Sequence, residues 1–469
     1  MSRGLKHFGR AATVKTPFLR REESGDWHLF ECCDFFGFFV CAVVWRFLLN
    51  SGMIIIILKI MEKIISLVKE HDNWRKQCVN LIASENAMSP ACERLYISDL
   101  MHRYAEGVPQ KRYYQGLKYI DEIEILAQEE FKKQFGANFC DARPISGTLA
   151  NYAAFAAISS RGDKILSLGV EHGSHVSHEK AGAAGTLGLE VEWLEYNDDC
   201  TMNAQLSCAK ILAAKPKFIV IGGSVILFPQ PVKELRQACD QVGAKIIYDA
   251  AHVLGLIAAG VFQDPLKEGA DLITTSTHKT FPGPQGGMIL GNVDEDTQKK
   301  IQTAVFPQFS SNHHLHRLPA LYGALREMQE FGKDYAAQIV KNAQTLAGEL
   351  CDLGFNVLAK ERGFTQSHQV LVNCGQPGSG GEAANLLERA NIILNKNIIP
   401  GDGTNPRNPR GIRIGTQEMT RFGMEEGEMK EIAKFIKQVV LDKESPEAVG
   451  KQVAAFRADF TAPRYCFQN

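Results

Sequence analysis

The chain has 469 residues, 45% of them hydrophobic, and carries 52 basic against 53 acidic side chains. That length accommodates two or three globular domains, and the balanced charge gives no electrostatic case for nucleic acid as a partner. Twelve cysteines without a C-x-x-C pair suit buried thiols in a reducing, cytoplasmic setting and speak against a disulfide framework.

The first sixty residues differ from the rest. Phe35 to Trp45 is apolar, but Arg46 and Asn50-Ser-Gly interrupt it before Met53 to Leu58. A membrane span needs about 20 continuous apolar residues, and a secretory signal would lie nearer the start and end in a small-residue cleavage site. Residues 35 to 58 therefore read as a membrane-associated segment at most. Residues 1 to 60 read as an atypical extension, with Met61 as the expected natural start and residues 61 to 115 as an N-terminal arm.

From Tyr119 to Phe135 the spacing predicts an amphipathic helix with Ile120, Ile123, Leu126, Phe131 and Phe135 on its buried side and Gly136 as its stop. Ser146-Gly147-Thr148 precedes the alanine-rich run Leu149 to Ile158. Two hydroxyls and free backbone N–H groups at a helix N-terminus make an anion site, although an ordinary capped helix would look the same. Strand candidates then recur between helical stretches: Lys164 to Leu168, Phe218 to Ile221, Lys245 to Tyr248, Leu272 to Thr277 and Gly287 to Leu290. That alternation predicts a mainly parallel sheet in a large α/β domain, residues 116 to 330. A long helix over Pro319 to Leu350 bridges to a smaller α+β domain, residues 331 to 469. That domain has strands Val370 to Asn373 and Ile412 to Ile414, and a helix Met429 to Leu441 burying Ile432, Phe435, Ile436 and Val439. His313, His314 and His316 lie in an irregular loop without metal-ligand spacing and read as structural, so no metal is expected.

Two strand ends carry the chemistry. Lys245-Ile-Ile-Tyr-Asp249 ends in a carboxylate, with His252 three residues on; Leu272 to Thr277 delivers His278 and Lys279 into a turn broken by Pro282, Gly283, Pro284, Gly286 and Gly287. The thirty residues from Asp249 to Lys279 suit one strand-crossover-strand unit, which puts both at one edge of a parallel sheet, where open α/β sheets bind ligands. A lysine amine condenses with an aldehyde such as pyridoxal phosphate, and an aspartate against the pyridine nitrogen keeps that ring electron-accepting. A surface lysine and a helix-capping aspartate are the bland alternatives; the pairing favours the cofactor.

Nine motifs in order then resemble the serine hydroxymethyltransferase family over residues 61 to 440. They are Leu81-Ile-Ala-Ser84-Glu-Asn86, Arg103-Tyr-Ala-Glu106-Gly, Lys111-Arg-Tyr-Tyr114, Ser146-Gly-Thr148, His172-Gly-Ser-His175, Asp249-Ala-Ala-His252, Thr277-His-Lys279-Thr, Asn395-Lys-Asn397 and Gly411-Ile-Arg413-Ile-Gly-Thr416. The resemblance implies a fold-type I, aspartate aminotransferase-like transferase dependent on pyridoxal phosphate, with tetrahydrofolate or a related pterin as co-substrate. It implies Lys279 as the Schiff-base lysine, Asp249 at the pyridine nitrogen and His175 stacked on the ring. His252, Ser224 and His278 would lie beside the cofactor, and Ser146, Gly147 and Thr148 at its phosphate. Tyr104 would reach that phosphate from a neighbouring subunit, giving a homodimer with shared sites and possible pairing into a tetramer. Arg413 would clamp the substrate carboxylate, a bidentate role suited to guanidinium. Glu106 would move protons at the hydroxymethyl group or folate, Ser84 and Tyr114 would contact substrate, and Tyr113, Val170, Val176 and Asn397 would join Glu106 at the folate.

The implied reaction is reversible transfer of serine's hydroxymethyl carbon to tetrahydrofolate, leaving glycine. Three departures stand out. Gln308-Phe-Ser-Ser-Asn-His-His314 replaces a usually glycine-rich loop, Val170 and Val176 replace leucines, and Asn405-Pro-Arg-Asn-Pro-Arg410 with Gln417 differs near the arginine. They mark a divergent branch and keep open a folate-independent aldolase or transaldolase acting on threonine-like β-hydroxy amino acids. A catalytically silent partner protein is disfavoured by the intact lysine and aspartate.

Overall fold

The computed structural model describes residues 20–21, 27–28, 52–403 and 407–468. The chain forms two units, residues 1–74 and 75–469. In the first, Arg20–Arg21 pairs antiparallel with Trp27–His28, and helix α1 (Gly52–Arg75) begins upstream of Met61. The apolar residues 35–51 and the Thr404-Asn-Pro406 part of the divergent loop lie outside the described residues. No helix among the described residues is long and apolar enough to cross a membrane.

The second unit is built on a seven-stranded sheet: β1 (Phe139–Asp141), β2 (Lys164–Ser167), β3 (Glu190–Trp193), β4 (Phe218–Gly222), β5 (Lys245–Asp249), β6 (Leu272–Ser276) and β7 (Gly287–Gly291), ordered β1-β7-β6-β5-β4-β2-β3. Side chains alternate between two cores, as the pleat requires. Ile219, Ile221, Ile246 and Tyr248 enter one, and Phe218, Val220 and Ile247 the other. Both faces are buried, which is why these strands read as unbroken apolar runs. Strands β2 to β6 are parallel, whereas β7 runs antiparallel to β6 and β1. The ten residues between Ser276 and Gly287 are too few for a crossover, so β7 departs from the expected parallel order.

Helix α2 (Lys118–Phe135) ends at Gly136 with φ +61°. It corrects one expectation: Leu126 is 55% exposed, while Ile120, Glu124, Ala127, Phe131 and Phe135 are buried. Positions 120, 124, 127, 131 and 135 define a single stripe at 100° per residue, and 126 falls outside it. Buried Glu124 occupies the stripe instead, neutralised by Arg112 at 2.7 Å.

Helix α3 (Gly147–Ile158) follows β1, and α4 (Arg317–Asp352) spans two hydrophobic clusters. Leu318 to Ile339 pack with the large sheet, and Ala343 to Leu350 with a four-stranded antiparallel sheet. That sheet comprises β8 (Asn356–Val357), β9 (Gln369–Asn373), β10 (Asn395–Asn397) and β11 (Gly411–Gly415), ordered β8-β9-β11-β10. Val79 and Leu81 join the second cluster, where Val79–Asn80 pairs with Ile392–Ile393. Helix α5 (Glu426–Val440) buries Ile432, Phe435, Ile436 and Val439 against it.

Candidate active site

Register brings the site together. Asp249 lies opposite Gly222 on one side and Thr274 on the other, so β4, β5 and β6 end at one edge. Gly222-Gly-Ser224, Asp249-Ala-Ala-His252 and His278-Lys279 leave from it. Gly222 and Gly223 adopt φ +84° and +132°, and a Cβ would lie 2.4 Å from the Asp249 carbonyl and 2.8 Å from the His175 nitrogen, respectively. Glycine is therefore required to let these segments touch. Thr280 joins two strand ends, its hydroxyl donating to the His252 carbonyl at 2.8 Å and accepting from the Gly255 N–H at 3.0 Å.

Asp249 is buried. Its Oδ2 meets His178 Nε2 and Asn151 Nδ2 at 2.9 Å each, and the Ala251 N–H donates to Oδ1 at 3.0 Å. Burial alone would raise its pKa, but the hydrogen bond and charge of His178, aided by His175 and Asn151, hold the carboxyl well below the usual range. The site thus maintains a buried anion at its floor.

His175 faces that floor. Its Nδ1 accepts from the Ser177 N–H at 3.2 Å and lies 2.7 Å from the Ser177 hydroxyl. Burial lowers its pKa to about 4, so the imidazole is neutral at pH 7. His252 is buried: the Gln369 amide donates to its Nδ1 at 3.0 Å, and its ring stacks on His368 at 5.5 Å. Burial, then the charges of Lys279 and Arg413, keep it neutral as well.

Lys279 is partly buried, and its ammonium has no hydrogen-bond partner among the described residues. Burial brings its pKa down to about 8, against the opposing pull of Asp249 and with help from Arg413. Its backbone carbonyl accepts from Asn86 Nδ2 at 2.5 Å, which pins the strand end. A lysine with this pKa has a substantial neutral, nucleophilic fraction near pH 7 to 8. His278 Nδ1 accepts from the Gly286 N–H at 3.4 Å within the following turn, and burial brings its pKa to about 4.

Arg413 sits on β11 between Leu371 and Asn395. Its neighbours Ile412 and Ile414 enter the core, so strand parity turns Arg413 the other way. Nη1 donates to the Ser224 carbonyl at 2.8 Å and Nε to Asn395 Oδ1 at 3.3 Å. No carboxylate pairs with this buried guanidinium among the described residues, and burial lowers its pKa to about 10. An unneutralised buried cation of this kind calls for an anionic ligand.

Ser146 caps α3, its hydroxyl accepting from the Leu149 N–H at 3.1 Å. A Cβ at Gly147 would lie 2.6 Å from Ser276 Oγ, so the helix start is drawn tight against the end of β6. Thr148 follows, half-buried, in the first turn of α3. Ser84 lies between Ala83, whose carbonyl accepts from His368, and Asn86, so it is carried along the same edge. Val170 and Val176 flank His175, Val176 half-exposed, and Asn397 lies on β10 two residues from Asn395.

Tyr104, Glu106, Tyr113 and Tyr114 group elsewhere. Tyr104 and Tyr114 rings are 5.1 Å apart, Tyr113 packs on Phe306 at 5.7 Å, and Ser311 Oγ donates to Glu106. Among the described residues, no hydrogen bond or ring contact joins these four to Lys279, Asp249, His175 or Arg413. The tyrosines are exposed, Tyr113 by 72%.

Sequence reasoning missed His178, Asn151, Gln369, His368 and Ser311. His178 carried a signal, being the third histidine in His172-Gly-Ser-His175-Val-Ser-His178. Asn151 is a lone amide in an alanine-rich run, and Gln369 opens a strand whose next three residues are apolar. His313, treated as structural, bonds buried Glu124 at 3.1 Å, and no metal-binding cluster occurs among the described residues.

The family model described as "Serine hydroxymethyltransferase" matches residues 57–436. Curated serine hydroxymethyltransferases from Thermococcus kodakarensis and Pyrococcus abyssi are each 51% identical over 87% of this chain and 96% of their own length. One from Metallosphaera sedula is 50% identical over 87% and 95%. Among solved structures, an L-threonine transaldolase from Pseudomonas fluorescens superposes with TM-score 0.82 at 29% identity, covering 89% of this chain and 96% of that one.

Proposed function

The chain belongs to the serine hydroxymethyltransferase family, and from that premise we propose how its own residues divide the work. It is a fold-type I, pyridoxal-phosphate-dependent enzyme that reversibly transfers the hydroxymethyl carbon of serine to tetrahydrofolate, leaving glycine. The observation that carries the assignment of roles is the meeting of three charges: an aspartate held ionised and a lysine without an ion pair at one edge of the large sheet, and an arginine without a carboxylate that reaches from the smaller sheet to the Ser224 carbonyl at that edge.

These residues fit the cofactor, which when bound supplies an electron sink at the substrate's α-carbon. Lys279 would hold it covalently, through an amine that burial keeps nucleophilic. Asp249, fixed by His178 and Asn151, would sit at the ring nitrogen and keep a proton there. Neutral His175 would lie flat against the ring, with His252 and Ser224 beside it and His278 behind the lysine. Ser146, Gly147 and Thr148 would take the phosphate at the start of α3.

Arg413 would bind the serine carboxylate, and its lack of any other anion leaves its charge available. Glu106 would hold and release the hydroxymethyl proton, with Ser84 and Tyr114 at the substrate and Tyr113, Val170, Val176 and Asn397 along the folate. Glu106, Tyr104, Tyr113 and Tyr114 form an outward cluster, which supports a homodimer in which one protomer's cluster completes its partner's site. Nine free cysteines among the described residues are in keeping with a cytoplasmic enzyme.

The test is spectroscopic. Glycine alone should produce a weak long-wavelength absorbance band in the holoenzyme, and tetrahydrofolate should strengthen it severalfold. A band equally strong without tetrahydrofolate would favour the transaldolase-like alternative to which the structural neighbour lends weight.

A further inference from the structure

The segment Arg103–Gly107, which carries Glu106, has little regular structure of its own and is held by side chains. Asn312 Oδ1 accepts from the Ala105 N–H at 2.8 Å, and its Nδ2 donates to the Arg103 carbonyl at 2.9 Å, much as a neighbouring strand would. Arg112 Nη1 donates to the carbonyls on either side of Glu106, Ala105 at 2.7 Å and Gly107 at 2.9 Å. Arg112 is itself fixed by Asp121 at 2.8 Å and Glu124 at 2.7 Å, and Glu124 also bonds His313, the residue after Asn312.

The backbone around Glu106 is therefore pinned from two directions, while its carboxylate is engaged by one hydroxyl. Ser311 Oγ donates to Glu106 Oε1, and the Tyr104 hydroxyl lies 3.5 Å from the same Oγ. Glu106 Oε2 has no hydrogen-bond partner among the described residues. Ser311 stands in the Gln308 to His314 loop, where the family resemblance leads one to expect glycines, which have no hydroxyl to offer.

We propose that Ser311 is a positioning residue for Glu106: its hydroxyl selects one carboxylate rotamer and leaves the second oxygen directed at the reacting proton. A half-buried glutamate without such a contact samples several rotamers, and fixing it beforehand removes that loss from the chemical step. The proposal rests on the reading of Glu106 as the proton-handling carboxylate.

A double-mutant cycle on the full-length holoenzyme separates the two ideas. Ser311→Ala should lower kcat roughly tenfold, the scale of a coupled pair in contact, with KM for serine unchanged. Ser311→Thr, which keeps the hydroxyl, should retain most of the activity. In a Glu106→Gln background, where turnover is followed with enzyme in excess, Ser311→Ala should cost nothing more. An unchanged kcat in Ser311→Ala, or an equal loss in both backgrounds, overturns the positioning role. A Glu106→Gln enzyme as active as the parent removes the reading of Glu106, and the proposal with it.

Discussion

The floor of the site and the Glu106 cluster are built on opposite terms. At the floor, Asp249, His178 and Asn151 are buried, and each is engaged by the others. Asp249 ends β5, Asn151 comes from helix α3 and His178 from a short turn after β2, so the group is assembled by the packing of helix and turn on the sheet end. The Glu106 cluster is exposed, with aromatic rings turned outward and a carboxylate positioned by loop side chains. One chain thus completes the buried, charged floor, and leaves the Glu106 cluster without a hydrogen bond or ring contact to it among the described residues. Burial tunes charge, whereas exposure leaves groups free to meet something arriving from outside.

The strongest way to break this contrast is to divide it between two chains. Lys279→Ala should lose turnover, and borohydride reduction followed by denaturation should leave the cofactor on the parent protein but not on the variant. Glu106→Gln should lower kcat by roughly 10² or more, as loss of a general acid or base does. Refolding the two variants together should restore up to about a quarter of parental activity, because a hybrid twofold dimer keeps one intact site of two. No recovery on mixing would place both residues in one protomer's site.

A smaller effect is expected at Arg413. Arg413→Lys keeps the charge but loses the planar fork, so KM for serine should rise about 10- to 100-fold, the scale of a hydrogen bond to a charged group. Cofactor affinity should stay near parental. Loss of cofactor with unchanged KM would instead assign Arg413 to the floor.

Much of the floor was legible in the chain because strand periodicity and a glycine-broken turn act locally. Leu272 to Thr277 reads as a strand, and its end must deliver Lys279. Asp249 was legible for the same reason, but its partners were not. His178 and Asn151 reach it from segments 71 and 98 residues away in sequence, a turn and a helix that only the tertiary packing brings to the strand end. Leu126 misled because apolar character alone does not place a residue on a helical stripe. The bonds of Ser311 to a segment more than two hundred residues earlier carried no local signal at all.

The smallest expected effect separates folding from chemistry. Asn80 Nδ2 donates to Glu418 Oε2 at 2.5 Å, and burial raises the Glu418 pKa to about 7. A carboxyl that keeps its proton more tightly when folded makes stability fall as pH rises from the ordinary carboxylate range to about 7, and level off beyond. Glu418→Gln should remove that slope and stabilise the protein at pH 8 on the order of 1 kcal/mol, a few degrees in Tm. Parallel melting curves for parent and variant across that range would contradict the assignment.

The strand Val79–Asn80 finds its partner at Ile392–Ile393, and the carbonyl of Leu81 accepts from the Gly415 N–H at 2.8 Å. A few residues later Asn86 grips the Lys279 carbonyl. During synthesis, then, a ribosome has emitted the reactive lysine long before it supplies the strands that seat the segment gripping it. A nascent chain stalled before residue 390 carries every side chain of the floor and still lacks its clasp. The seat of the Asn86 clasp is thus completed only when Ile392–Ile393 and Gly415 have been translated, more than a hundred residues after Lys279.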